Sequence, residues 1–147
     1  MTTGATTIRQ LKPATKAFRV LIVDDNASDT ELTAAQLSKA WPFETDMSVE
    51  FASGGKDAIA KLQRERFALL ILDWQMPETN GKDVLRHVRK QGTRIAVLVI
   101  SGLERQAIAE NLESHGAAYL HKDEMTPHAL HTAIATSLRL LGHLPAL

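Results

Sequence analysis

Five positions in this chain put a chemically able side chain at the end of an apolar run. "FRVLIVDD" closes on Asp24 and Asp25, "FALLILD" on Asp73, "RIAVLVIS" on Ser101 and "AAYLHK" on Lys122. An unpaired charge in apolar surroundings is costly, so acids placed there call for partners. Three carboxylates brought together repel one another, and a hard divalent cation is the natural balance. Mg2+ prefers oxygen ligands and keeps several of its waters. A lysine opposite completes the charge balance and can grip an anion. Cation, carboxylate, hydroxyl and ammonium together make a phosphoryl site, where catalysis is mostly positioning and charge neutralisation. A carboxylate can also be the nucleophile, because aspartyl phosphates are an established covalent class.

The elements that must position these groups alternate along the chain. The runs at 18–25, 67–73 and 94–101 are nearly all apolar, as in strands buried on both faces. "MSVEFA" (47–52) alternates and reads as a sheet edge, and "AAYLHK" (117–122) as a short last strand. Five amphipathic segments lie between and after them. In "ASDTELTAAQLSKAW" the spacing of Ser28 and Glu31 suggests a capping box, with Leu32, Ala35, Leu37 and Ala40 facing inward. The next helices should bury Ala58, Ile59 and Leu62, then Val84, Leu85 and Val88 with a stop at Gly92. "LERQAIAENLESHG" closes at Gly116. Thr126 and Pro127 start a final helix through Ala133, Ile134, Leu138 and Leu141.

Strict alternation of this kind implies an α/β fold, a parallel sheet covered by helices on both faces with right-handed crossovers. Ligands bind such sheets beyond the carboxyl ends of the strands. All five chemical positions therefore converge on one rim.

The 147 residues suit a single domain, and no repeat or linker points to a second. Residues 1–17 read as a flexible leader, 18–141 as the domain and 142–147 as a short tail. Seventeen basic and seventeen acidic residues give a formal net charge of zero. That removes any electrostatic argument for nucleic acid or an anionic membrane. The absence of cysteine excludes disulfides, thiolate metal sites and cysteine nucleophiles. No apolar run approaches the roughly 20 residues of a membrane span, and the first residues lack a signal-peptide core. A cytoplasmic protein is the expectation.

The acidic pair after the first strand, the Asp ending the third, and the Ser, Tyr and Lys further on resemble the receiver domain of two-component response regulators. The resemblance covers about residues 18–141. It implies a flavodoxin-like doubly wound sheet of strand order 2-1-3-4-5. It implies Asp73 as phosphoacceptor, and Asp25, Asp73 and the backbone carbonyl of Gln75 as Mg2+ ligands, with Asp24 assisting through water. Ser101 would donate to the phosphoryl group, Lys122 would bind one of its oxygens, and Tyr119 would be the aromatic switch. The donor would be a sensor histidine kinase or a phosphotransfer protein. Most receivers carry Pro after the lysine in a cis bond, whereas here Asp123 follows and a trans bond is expected. Lys-Asp at this point is similar to a subgroup of stand-alone regulators paired with hybrid and phytochrome-type kinases. With only "GHLPAL" after the last helix, output would pass through a partner, using the face at about 103–141, which could also form a homodimer. Leu103 cannot orient a water, so a phosphoryl lifetime of minutes or longer is expected.

Other readings compete. The acidic pair alone could be a turn signal, Ser101 a helix cap, Lys122 a solvated lysine and Tyr119 ordinary sheet packing. Trp74 should pack over the edge of the site. His121, His128 and His131 lack further ligands at metal spacing and read as exposed. An aspartyl-nucleophile phosphatase would usually carry a second acid two residues after the nucleophile, where Gln75 stands, so an enzyme is not expected. An FMN-binding flavodoxin would need a hydroxyl- and glycine-rich loop where "DDNASDTE" lies. A pseudo-receiver that never takes phosphate fits poorly with so full a set of groups.

Overall fold

The computed structural model describes residues 18–41 and 46–142. The expected leader, 1–17, and all of the tail beyond Gly142 lie outside them. Strands β1 (Phe18–Val23), β2 (Met47–Ala52), β3 (Leu69–Asp73), β4 (Ala96–Ser101) and β5 (Ala118–His121) alternate with five helices. These are α1 (Ala27–Ala40), α2 (Gly55–Arg64), α3 (Gly81–Lys90), α4 (Arg105–Ser114) and α5 (Pro127–Leu141). All strand pairs are parallel, in the order β2-β1-β3-β4-β5. This is the flavodoxin-like order expected from the sequence.

Period-two alternation divides the apolar side chains between two layers. Val20, Ile22, Leu69, Ile71, Leu98 and Ile100 pack with Leu37 of α1 and Leu130 and Ile134 of α5. Leu21, Val23, Leu70, Leu72, Val97 and Val99 pack with α2, α3 and α4 through Ala58, Val84, Leu85, Val88, Ile108 and Leu112. Every residue of β3 is buried. Each buried aliphatic there stabilises the fold by roughly 1.5–3 kcal/mol. Leu70, Ile71 and Leu72 thus hold the strand firmly enough that Asp73 cannot withdraw from the interior. β2 is the edge, half-buried over most of its length, with Phe51 exposed.

Several helix ends match the sequence. Thr126 Oγ1 accepts from the Ala129 N–H and Pro127 opens α5. Gly92 and Gly116, at φ of 71° and 63°, take the left-handed conformation that ends α3 and α4. At α1 the expectation fails. Its N-cap is Asn26, whose side chain accepts from the Asp29 N–H, rather than Ser28. The inward face is Thr33, Leu37 and Ala40. Leu32 is 56% exposed and Ala35 also faces out. The peptide bond between Lys122 and Asp123 is trans, as expected, and Lys122–Glu124 form one turn of 3-10 helix. No helix among the described residues is long and apolar enough to cross a membrane.

Candidate functional site

The carboxyl ends of β1, β3, β4 and β5 meet at one rim, and the residues singled out by type lie there. Register places Asp73 beside Ile100 and Ser101 beside His121. Asp24 and Asp73 are buried while Asp25 is exposed. One carboxylate oxygen from each of the three lies within 4.8 Å of the other two. An all-oxygen, triply acidic donor set so closely spaced could hold a hard divalent cation.

Asp73 is only 4% exposed. Its Oδ1 accepts from the Gln75 N–H at 3.3 Å and stands 3.5 Å from Lys122 Nζ. Burial pushes its carboxyl up to about 6; Asp24 adds to the rise, and Lys122 and the Gln75 N–H oppose it. Asp24 is also raised, chiefly by burial, although its Oδ1 accepts from the Asn26 N–H at 2.9 Å. Two acids that resist ionising side by side are a pair suited to a cation. The rim is shaped for them by Gly81, whose N–H donates to the Trp74 carbonyl at 3.1 Å. A Cβ at Gly81 would lie 2.7 Å from the Asp73 carbonyl oxygen and 2.7 Å from Trp74 Cα. The turn after β3 therefore closes tightly against α3.

Ser101 is fully buried, and its Oγ accepts from the Leu103 N–H at 2.9 Å rather than capping α4. The Leu103 carbonyl accepts from the Tyr119 hydroxyl at 2.5 Å. Leu103 thus bridges the two residues expected to act as hydroxyl donor and switch. Burial raises Tyr119 above the ordinary phenol range.

The sheet separates these groups. Asp73 and Lys122 lie toward α1 and α5, where Lys122 shares a small cavity with Asp24, Asp29, Thr33 and Met125. Ser101 follows the alternation of Val97 and Val99 toward α4. Tyr119 lines a groove on that side with Glu104, Arg105 and Gln106.

Some positions differ from expectation. Trp74 is buried in the layer beneath α2, α3 and α4 rather than over the edge of the site. His121 is not an exposed residue: its Nδ1 accepts from the Asp123 N–H, and its Nε2 lies 3.5 Å from Glu104 Oε2. His128 and His131 are exposed. Sequence reasoning passed over Asp29, whose Oδ2 is 3.9 Å from Lys122 Nζ. Its only signal was an acid one turn into the helix that follows the acidic pair.

Residues 20–135 match the family model for the response regulator receiver domain. The chain is 34% identical over 125 residues to a gliding motility regulatory protein of Myxococcus xanthus, covering 83% of this chain and 15% of the relative. It is 32% identical over 127 residues to response regulator MprA of Mycobacterium leprae, covering 84% and 51% respectively. The chain spans about half or less of the length of these curated relatives. Among solved structures it is similar to chemotaxis protein CheY4 of Vibrio cholerae, with a TM-score of 0.71, 27% identity and coverage of 83% of this chain and 99% of that one. A CheY-like receiver domain protein of Methanospirillum hungatei, 23% identical with a TM-score of 0.70 over 86% and 98% of the two chains, shares the fold. This chain belongs to the response regulator receiver domain family.

Proposed function

We propose that Asp73 accepts a phosphoryl group from a phosphohistidine on a sensor histidine kinase or phosphotransfer protein. An Asp73 carboxylate oxygen bonds to phosphorus while the N–P bond breaks and its electron pair returns to the donor imidazole. The observation that carries this reading is the buried Asp73 carboxylate, 3.5 Å from Lys122 and within reach of two further acids.

The donor set fits Mg2+, held by Asp25, Asp73 and the Gln75 backbone carbonyl with Asp24 assisting. When bound, the cation supplies charge neutralisation for the acids and the incoming phosphoryl oxygens. Lys122 grips a phosphoryl oxygen and Ser101 donates to another. Drawing Ser101 toward the phosphoryl group releases the Leu103 N–H and lets Tyr119 move inward, so the loop after β4 is the two-state element.

The protein acts as a signalling unit rather than an enzyme, because Gln75 stands where a phosphatase would place its general acid. Residues 18–141 form the receiver. Output passes through the face at 103–141, to a partner or a second copy, in the cytoplasm. Leu103 shields the phosphoryl group and gives it a lifetime of minutes or longer.

The test is intact mass after incubation with a small phosphodonor, with and without Mg2+, for the wild type and Asp73→Asn. One added phosphoryl group that requires both Mg2+ and Asp73 supports the proposal. No uptake, with Mg2+ binding established, makes the chain a non-phosphorylated interaction module.

A further inference from the structure

Two helices of this protein begin with the same Asn-x-x-Asp pattern, and only one closes it into a reciprocal capping box. At α3 the Asp83 N–H donates to Asn80 Oδ1 at 3.1 Å and the Asn80 N–H donates to Asp83 Oδ2 at 3.2 Å, a reciprocal box. At α1 the first half is present, the Asp29 N–H donating to Asn26 Oδ1 at 3.0 Å. The second half is not. The Asn26 N–H donates instead to Asp24 Oδ1, at 2.9 Å. The Asp29 carboxylate is therefore displaced from the capping role and faces Lys122 Nζ at 3.9 Å.

Lys122 thus stands between two anions, Asp73 Oδ1 at 3.5 Å and Asp29 Oδ2 at 3.9 Å. A lysine side chain is a mobile point charge on a four-carbon stem and settles wherever its nearest counter-ions place it. Without Asp29, its remaining near counter-ions, Asp73 and Asp24, both lie inside the site, and the ammonium would settle against the carboxylate oxygen that has to attack phosphorus and hold the cation. A second carboxylate behind it draws the ammonium back to the mouth of the site.

We infer that Asp29 is a positioning residue for Lys122, sharing its charge so that Asp73 stays available to the cation and the phosphoryl group. This rests on the reading of Asp73 as phosphoacceptor.

The experiment compares Asp29→Asn, Asp29→Glu and Asp83→Asn in the full chain. It records the rate of phosphorylation by a small phosphodonor and the Mg2+ Kd from tryptophan fluorescence. Asp29→Asn should slow phosphorylation and weaken Mg2+ binding, each by about two- to fivefold, as a partly exposed ion pair allows. Asp29→Glu should recover part of both. Asp83→Asn should lower Tm and move neither. In a Lys122→Met background, Asp29→Asn should no longer change the Mg2+ Kd. An effect of Asp29→Asn that persists at full size without Lys122 would mean a bare field effect and overturn the positioning role. Normal uptake by the wild type together with an unchanged Asp29→Asn also overturns it, and leaves the phosphoacceptor reading standing. Failure of the wild type to take up phosphate overturns both.

Discussion

The Tyr119 hydroxyl donates to the carbonyl of Leu103 while the N–H of the same Leu103 donates to Ser101 Oγ. One residue's backbone therefore joins the expected switch to the expected hydroxyl. Tyr119→Phe removes the first bond and leaves the ring in place. The expected cost is about 0.5–1.5 kcal/mol. Amide exchange of residues 102–107 should quicken severalfold, with β3 unchanged. Exchange unaltered in that loop would show that Tyr119 does not restrain it.

Asp73 gives a pH prediction whose sign follows from its burial. Its carboxyl rises from 3.8 in the unfolded chain to about 6 in the fold. Between those values the native state holds more protons than the unfolded state, so this group makes stability fall as pH rises through the window. Above about 6 the full penalty is present. Asp73→Asn should therefore stabilise the metal-free protein at pH 7 by on the order of 2 kcal/mol, raising its Tm, and the gain should shrink towards pH 4. Thermal melts of both proteins across that range check it; a gain independent of pH would point to packing instead.

Arg89 is a half-buried charge with a structural role. Its guanidinium donates from Nε to the His115 carbonyl at 2.7 Å, from Nη1 to Ile95 at 2.7 Å and from Nη2 to Gly116 at 3.4 Å. It fastens α3 to the start of β4 and to the turn before β5. Burial brings its pKa down to about 10, so it keeps its charge at neutral pH. Arg89→Met strands those carbonyls and should lower stability by roughly 2–3 kcal/mol, as measured by denaturant midpoint, with Mg2+ affinity little changed.

Gly81 couples the turn after β3 to the first turn of α3. Gly81→Ala places a methyl 2.7 Å from two backbone atoms of Asp73 and Trp74, so the turn must shift. Overpacking of this kind costs about 1–3 kcal/mol. Because the displaced atoms belong to Asp73 and its neighbour, phosphorylation should slow more than the stability loss explains. A variant that loses stability but phosphorylates at the wild-type rate would detach the turn from the site.

What the sequence revealed depended on whether the signal was local. The strand ends were legible because a parallel sheet with both faces covered must bury its strands, and Asp24, Asp73, Ser101 and Lys122 each interrupt an apolar run. Thr126 and Pro127 were legible because cap and N1 chemistry is local. The start of α1 was not, since Asn26, Ser28 and Asp29 all suit a helix N-terminus, and tertiary packing chose Asn26. The same packing turned Leu32 outward and put the polar Thr33 inside, against the apolar pattern. The roles of Asp29 and Gly81 depend on residues far away in sequence or across a turn, and no spacing rule announces them.

The division of the rim by the sheet has an evolutionary corollary. On the proposed reading, the groups that hold the transferred charge, Asp73, Lys122 and Asp29, stand toward α1 and α5, and those that report its arrival, Ser101 and Tyr119, toward α4. Each side has its own packed layer of side chains, and the two jobs meet at the rim where Ser101 reaches the phosphoryl group. Changes on the first side can retune how readily and how long the protein is loaded. Changes on the second can alter who receives the message, and Ser101, which serves both jobs, is the position least free to drift.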